Sequence, residues 1–275
     1  MRNSVHRRIL TATLYAVFLA WPAAAGVIYD SIPGLLPPNV PSLGYQATGT
    51  SEFGDMVDFG GTTHDLTHVT VVLSAQAAAS AYNAQGPSWE HAITLNLYSV
   101  DNSGTLPELG PLIATRTATF DIPWRPEADS TCAGWRAPDG YCYSGLAFTV
   151  SFNFTGITVP DQIVYGVAFN TDDWGYNPIG LPGPYESLNL GLSTVPPSVG
   201  GNPLPDTAYW NTTHAAFYAD GGAGGVGVFR ADTKWAPYQG AIRFEDAAPE
   251  PGAGLLLATG LLALAWRKAR ARRAS

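Results

Sequence analysis

The sequence predicts an all-β protein: an antiparallel β-sandwich of about ten strands, jelly-roll-like, flanked by an N-terminal signal peptide and a short C-terminal apolar helix. Three observations carry that expectation. Apolar residues recur at every second position through several runs, which is the period of half-buried strands. Thirty glycines and 22 prolines among 275 residues punctuate those runs with turns. Each end of the chain is an uncharged apolar stretch with a basic cluster on one side, unlike anything between them.

The N-terminal end carries Arg2, Arg7 and Arg8, then 13 apolar or uncharged residues at 9–21, then Pro22 and the small residues Ala23-Ala24-Ala25. That order is a secretory signal with cleavage expected before Gly26. Thirteen residues fall short of the ~20 a membrane-spanning helix needs. No cysteine follows the cleavage point, so an N-terminal lipid anchor is not expected.

Residues 26–248 form the expected sandwich, a size ordinary for one all-β domain. The opening, 29–58, is Pro-rich and then turn-rich. Strands are expected at 69–73, 93–97, 112–120, 146–154, 162–169, 188–192, 207–211, 225–229 and 241–244. The clearest is 146–154, with Leu146, Phe148, Val150, Phe152 and Phe154 on one face. Turns such as Asp101-Asn102-Ser103-Gly104 and Pro138-Asp139-Gly140 separate them, and only 75–84 shows a weak helical period. Without its basic ends this domain keeps six Lys and Arg against 21 Asp and Glu, a net charge near −15. Such a surface repels nucleic acid and anionic lipid and favours cations.

Cys132 and Cys142 are the two cysteines. In an exported chain an even pair across a Pro-Asp-Gly turn is expected to form a disulfide. Closing that loop is worth roughly 3 kcal/mol in the chain-entropy treatment. A metal site is the alternative, for which the pair lacks companion ligands.

Several patterns invite chemistry. His64 and His68 have the spacing of a zinc pair, but a β-branched run follows at 69–72. An extended His64–His68 segment would hold its ends about 13 Å apart, too far for one ion. Gly222-Ala223-Gly224-Gly225-Val226-Gly227 matches the dinucleotide pattern, which works only between a strand and a helix. Here Val228-Phe229-Arg230 follows, so a glycine-rich hairpin loop is expected. Asn153 and Asn211 begin glycosylation-type tripeptides of little weight. The acidic groups Glu52, Asp55, Asp58 and Asp172, Asp173 read as loop carboxylates, and oxygens in such loops can take Ca²⁺. The segment Asp172-Asp173-Trp174 is the candidate ligand or calcium loop, because Trp174-Gly175-Tyr176 follows the acids directly. Six tryptophans, Trp89, Trp124, Trp135, Trp174, Trp210 and Trp235, lie within the domain. Exposed aromatics beside carboxylates can stack on sugar rings. No catalytic constellation is expected.

The C-terminal end reads Pro249-Glu250-Pro251, an apolar run of 15 residues at 252–266, and the basic cluster 267–273. A basic cluster after an apolar segment stays cytoplasmic, which leaves the domain on the far side of the membrane. The tail resembles the PEP-CTERM sorting signal of exopolysaccharide-producing Gram-negative bacteria. The resemblance covers 249–273 and implies transient inner-membrane insertion, processing by exosortase near Pro249, Glu250 and Pro251, and delivery to the cell surface or extracellular matrix. The opening 29–58 is similar to the corresponding part of other uncharacterised PEP-CTERM proteins. Three roles follow as expectations. The first is a structural or interaction protein of the surface or exopolysaccharide matrix; the second is a lectin-like module, with calcium assisting; the third is a secreted hydrolase. Signal peptidase and exosortase are the expected processing partners, and exopolysaccharide the expected ligand.

Overall fold

The computed structural model describes residues 26–247 apart from 63, 105 and 106. The expected signal peptide, 1–25, and the sorting segment with Pro249, Glu250 and Pro251 lie outside the described residues. Among those described, the chain is all-β and its strand pairs are antiparallel. The strands are β1 Gly26–Asp30, β2 Ser42–Gly44, β3 Thr50–Asp58, β4 Asp65–Ala75, β5 Ser88–Asp101, β6 Glu108–Pro123, β7 Trp135–Arg136, β8 Cys142–Tyr143, β9 Leu146–Thr158, β10 Gln162–Phe169, β11 Leu188–Ser193, β12 Thr207–Thr212, β13 Arg230–Thr233, β14 Gln239–Gly240 and β15 Ile242–Asp246. The strand count exceeds the expected ten because short pieces such as β2, β7, β8 and β14 leave no periodic trace.

Six strands make one sheet in the order β13-β12-β3-β10-β5-β6. Seven make the other, in which β4 pairs with β9 along one edge and with both β15 and β11 along the opposite edge. Ala241 stands at that fork. The Val72 amide donates to its carbonyl at 2.9 Å, while its own amide donates to Gly191 at 3.1 Å. A β-carbon on Gly191 would press into the Val72 carbonyl, so the fork requires glycine there.

Alternation builds the core as the sequence implies. Ile163, Tyr165, Val167 and Phe169 of β10 pack with Ile93, Leu95 and Leu97 of β5 against Val69, Val71, Val150, Phe152, Ile242 and Phe244 of the facing sheet. Each side chain of this size contributes ~1.5–3 kcal/mol on burial. The expected runs fall within β4, β5, β6, β9, β10, β11 and β12, and 241–244 overlaps β15 from Ile242 on, but 225–229 is a loop that ends where β13 begins. Residues 79–82 form a short 3-10 turn where the weak helical period lay. Cys132 and Cys142 are disulfide-bonded beside the β7–β8 hairpin. The Trp135 indole N–H there donates to the Gly145 carbonyl at 2.8 Å.

The main correction concerns Glu52, Asp55 and Asp58, which lie on β3 rather than in a loop. Asp55 is paired with Tyr165 on the inner face. It accepts from the Met56 amide at 2.8 Å and from Asn202 Nδ2 at 3.1 Å. Glu52 lies on the outer face and accepts from Asn96 Nδ2 at 2.8 Å, from the Tyr98 hydroxyl at 2.9 Å and from the Tyr176 hydroxyl. Burial pushes both carboxyls above their usual range, against the opposing pull of these hydrogen bonds.

The sign of the pH dependence follows. A folded-state pKa above the unfolded value means the folded chain binds that proton more tightly. The contribution of Asp55 and Glu52 is therefore full below their ordinary values of 3.8 and 4.5 and is lost as pH rises through the raised values. Two carboxyls nearer the surface act oppositely, each held near pH 2. Asp129 is bound first by the Thr131 hydroxyl and amide and then by Arg136, and Asp220 first by Arg230 and then by the Gly224 amide. Their contribution disappears only in strong acid. Burial holds the His91 imidazole below its ordinary value, which works the other way over the same interval. We expect Asp55→Asn, followed by calorimetry from about pH 5 to 8, to gain melting temperature relative to wild type as pH is raised. A gap between the two proteins that does not change with pH would contradict it.

Candidate functional site

The β12–β13 hairpin and the loops at its two ends assemble an aromatic groove. In β12, inward-facing Trp210 is held by its indole N–H, which donates to the Thr50 hydroxyl at 2.7 Å. The chain then turns through the 3-10 segment Ala215–Phe217 to buried Tyr218. The Tyr218 hydroxyl receives the Thr212 amide at 3.1 Å and lies 3.1 Å from the carbonyls of Trp210 and Val228, so it ties the turn to β12 and to the loop that leads into β13. The glycine-rich segment follows as a loop stapled by Asp220, whose carboxylate takes the Gly222 and Gly224 amides at 2.8 and 2.9 Å and Arg230 Nη2 at 2.9 Å. That guanidinium also stands 4.0 Å from the centre of the Tyr218 ring, a cation–π contact. The glycines lead into β13 rather than into a helix, so the segment has no phosphate-binding geometry.

β13 places Asp232 beneath the groove. Its two oxygens accept from the Ala219 amide at 2.8 Å and from the Trp235 indole at 3.0 Å. Both oxygens are occupied in orienting neighbours, which makes Asp232 a positioning group rather than a free base. The next turn requires Lys234 to adopt φ +72°, the left-handed region that side chains with a β-carbon disfavour. That turn sends Trp235 back against Phe53 and Trp210, with ring centres 4.8 and 4.9 Å away. The resulting groove, about 570 Å³, is lined by Trp210, Phe217, Tyr218, Trp235 and Tyr238, with Thr48, Thr233 and Lys234 as polar neighbours. Phe217 and Tyr238 are 46% and 42% exposed. Aromatic faces with hydroxyl and ammonium groups beside them suit a ring that is apolar on one face and rich in hydroxyls at its edge.

The residues singled out by sequence are distributed differently. Asp173 accepts from Gln46 Nε2 at 3.1 Å, and the Trp174 ring meets His214 at 5.4 Å. One oxygen of Asp172 is buried without a hydrogen-bond partner among the described residues. Among the described residues no group of three or more His, Cys, Asp or Glu is placed to hold a metal. Trp124 packs with Tyr82 and Trp89 at 5.9 and 6.2 Å and shares no ring contact with Trp174. His64 is buried, its Nδ1 3.4 Å from an Asp161 oxygen, and His68 lies within β4. Trp210 and Trp235 are the two tryptophans brought together in the groove, joined by Phe217, Tyr238 and Lys234, which sequence reasoning passed over. The missing signal was the pairing of β12 with β13, which fixes Thr207 opposite Thr233 and Trp210 opposite Arg230.

Comparison of the chain with protein-family models, with curated proteins and with solved structures finds no match. Among the described residues no helix is long and apolar enough to cross a membrane.

The backbone at position 234 supplies a direct check. Lys234 is exposed, so its replacement removes little packing. We expect Lys234→Gly to be neutral to slightly stabilising, and Lys234→Val to cost about 1–2 kcal/mol. Urea unfolding of the two variants measures the difference, and equal stabilities would show that the turn is not strained.

Proposed function

We propose that this chain is an exported protein of the cell surface or exopolysaccharide matrix, and that it binds polysaccharide through the Trp210–Trp235 groove without turning it over. The groove is the observation that carries this reading. Five aromatic side chains converge from two loops and a strand, and two of them are exposed in a domain whose other large aromatics are buried or half-buried apart from Tyr141 and Tyr176. The polar groups at its base are committed to holding the aromatics in place, as with Asp232 on Trp235. Such an arrangement supports recognition better than proton transfer, because a general base needs a free acceptor within reach of the substrate. A net charge near −15 argues against a polyanionic ligand and for a neutral or cationic one. Export is supported by the N-terminal signal pattern, by the tail's resemblance to a sorting signal, and by a disulfide of the kind that persists in oxidising compartments.

Affinity electrophoresis through neutral exopolysaccharide tests the groove. Phe217→Ala and Tyr238→Ala should each weaken retention by roughly 2- to 10-fold, the effect of losing ~0.5–1.5 kcal/mol of aromatic contact. Retention unchanged in the double variant would remove this reading. Intact-mass measurement on protein from envelope and medium should give a chain beginning at Gly26 and lacking 267–275. Full-length protein confined to the cytoplasm would remove the export part.

A further inference from the structure

Glu52 occupies an unusual position on the outer face of the six-stranded sheet. Its residue is 1% exposed, yet none of the ion pairs among the described residues includes it. The side chain lies across β10, over Gly166, where a β-carbon would collide with Oε1. Gly166 is paired with Gly54 on one side and Asn96 on the other, so the middle of this sheet face is bare of side chains at two adjacent strands. The carboxylate thereby reaches β5, where Asn96 and Tyr98 donate to Oε1. Thr115 of β6 donates to Asn96 Oδ1 at 2.7 Å, which fixes the amide with its N–H₂ toward the acid.

The cover is slight. Tyr176 comes from the 170–187 loop, donates its hydroxyl to Oε2 and is itself 57% exposed. Asn211 is paired with Glu52 across β12 and β3, on the same face, and its Oδ1 is buried with no hydrogen-bond partner among the described residues. Tyr98 adds a ring that meets Phe229 at 5.4 Å. With Tyr176 swung aside, an entering group would meet acceptors, namely Glu52 Oε2, Asn211 Oδ1 and the Tyr98 phenol oxygen, together with aromatic surface. Three neutral donors alone leave a buried anion uncompensated, and a glutamine could keep the Asn96 and Tyr98 bonds on its oxygen while its amide donates to the Tyr176 oxygen, without that cost. Retaining a carboxylate here is useful when a cation arrives. Few carboxylates converge, which disfavours a hard metal ion. A compact cation with several N–H donors matches the acceptors and the aromatic surface.

We propose that Glu52 is the floor of a binding site for a protonated primary amine, entered by displacement of the Tyr176 hydroxyl. The site lies on the outer sheet face and is independent of the aromatic groove. Its failure therefore leaves the groove reading untouched.

Isothermal titration of the domain with glucosamine hydrochloride, and with N-acetylglucosamine as the uncharged control at equal ionic strength, tests the proposal. Wild-type protein should bind glucosamine in preference to the acetylated sugar. Glu52→Gln should weaken glucosamine by about tenfold or more, the loss expected for a charge-assisted hydrogen bond, and should leave the binding of the acetylated sugar unchanged. Tyr176→Phe removes the competing hydroxyl and should tighten binding. Equal affinity for the two sugars would show that the ammonium plays no part, a folded Glu52→Gln protein that binds glucosamine as wild type does would show only diffuse attraction to an acidic surface, and either result overturns the proposal. Should Glu52→Gln not fold, Tyr176→Phe decides: tighter glucosamine binding upholds the site, and unchanged or weaker binding rejects it.

Discussion

The constraint around which this sandwich is arranged is the burial of a carboxylate on each face of one central strand. β3 carries Glu52 outward and Asp55 inward, both about 1% exposed. Neither is neutralised by a basic residue among the described ion pairs. An uncompensated charge in such surroundings is too costly to persist without hydrogen bonds or protonation, and the neighbouring sequence supplies the hydrogen bonds. Asn202 reaches Asp55 from the turn after β11 and lies 3.1 Å from Gln239 as well. Gln239 in turn accepts from Tyr29 and donates to the Val195 carbonyl. One acid thus draws together the first strand, the turn after β11 and the segment just before the last strand. Glu52 does the same on the outside, joining β3, β5 and the 170–187 loop through Asn96, Tyr98 and Tyr176.

The glycines of β3 and β10 make this possible. A β-carbon at Gly54 would strike the Tyr165 carbonyl, and one at Gly166 would occupy the space of Glu52. The two residues are paired directly, so the strands approach closely where the outer acid crosses. Glycine in a strand interior weakens it and marks a close approach. Here the approach is that of a neighbouring backbone and a buried carboxylate.

At the edge of the same sheet the organisation is different. β13 is short, and its flanking loops are braced by Asp220 with Arg230 and by Asp232 with Trp235. These contacts fix the glycine-rich loop and the indole of Trp235. Loops held on a rigid scaffold are where binding surfaces usually arise, and the scaffold here is the paired β12 and β13 beneath them.

Alternation in 93–97, 146–154 and 188–192 was sufficient to read those strands and the core they supply, because a side-chain period of two has one buried solution. The disulfide was also legible, since an even cysteine pair across a turn has one partner to choose. The signal and sorting patterns at the two ends rest on sequence alone. β3 was hidden because both of its faces are buried, so Thr50, Glu52 and Asp55 break the alternation and read as a polar loop. The groove was hidden for another reason: Trp210, Phe217, Trp235 and Tyr238 are brought together by strand pairing across the hairpin, and pairing is a long-range choice that local pattern does not encode. Composition and periodicity determined that this chain is an all-β sandwich with a strongly acidic surface. Only the tertiary structure decided which acids are buried and which aromatics face outward, because burial depends on what a distant strand places opposite each residue.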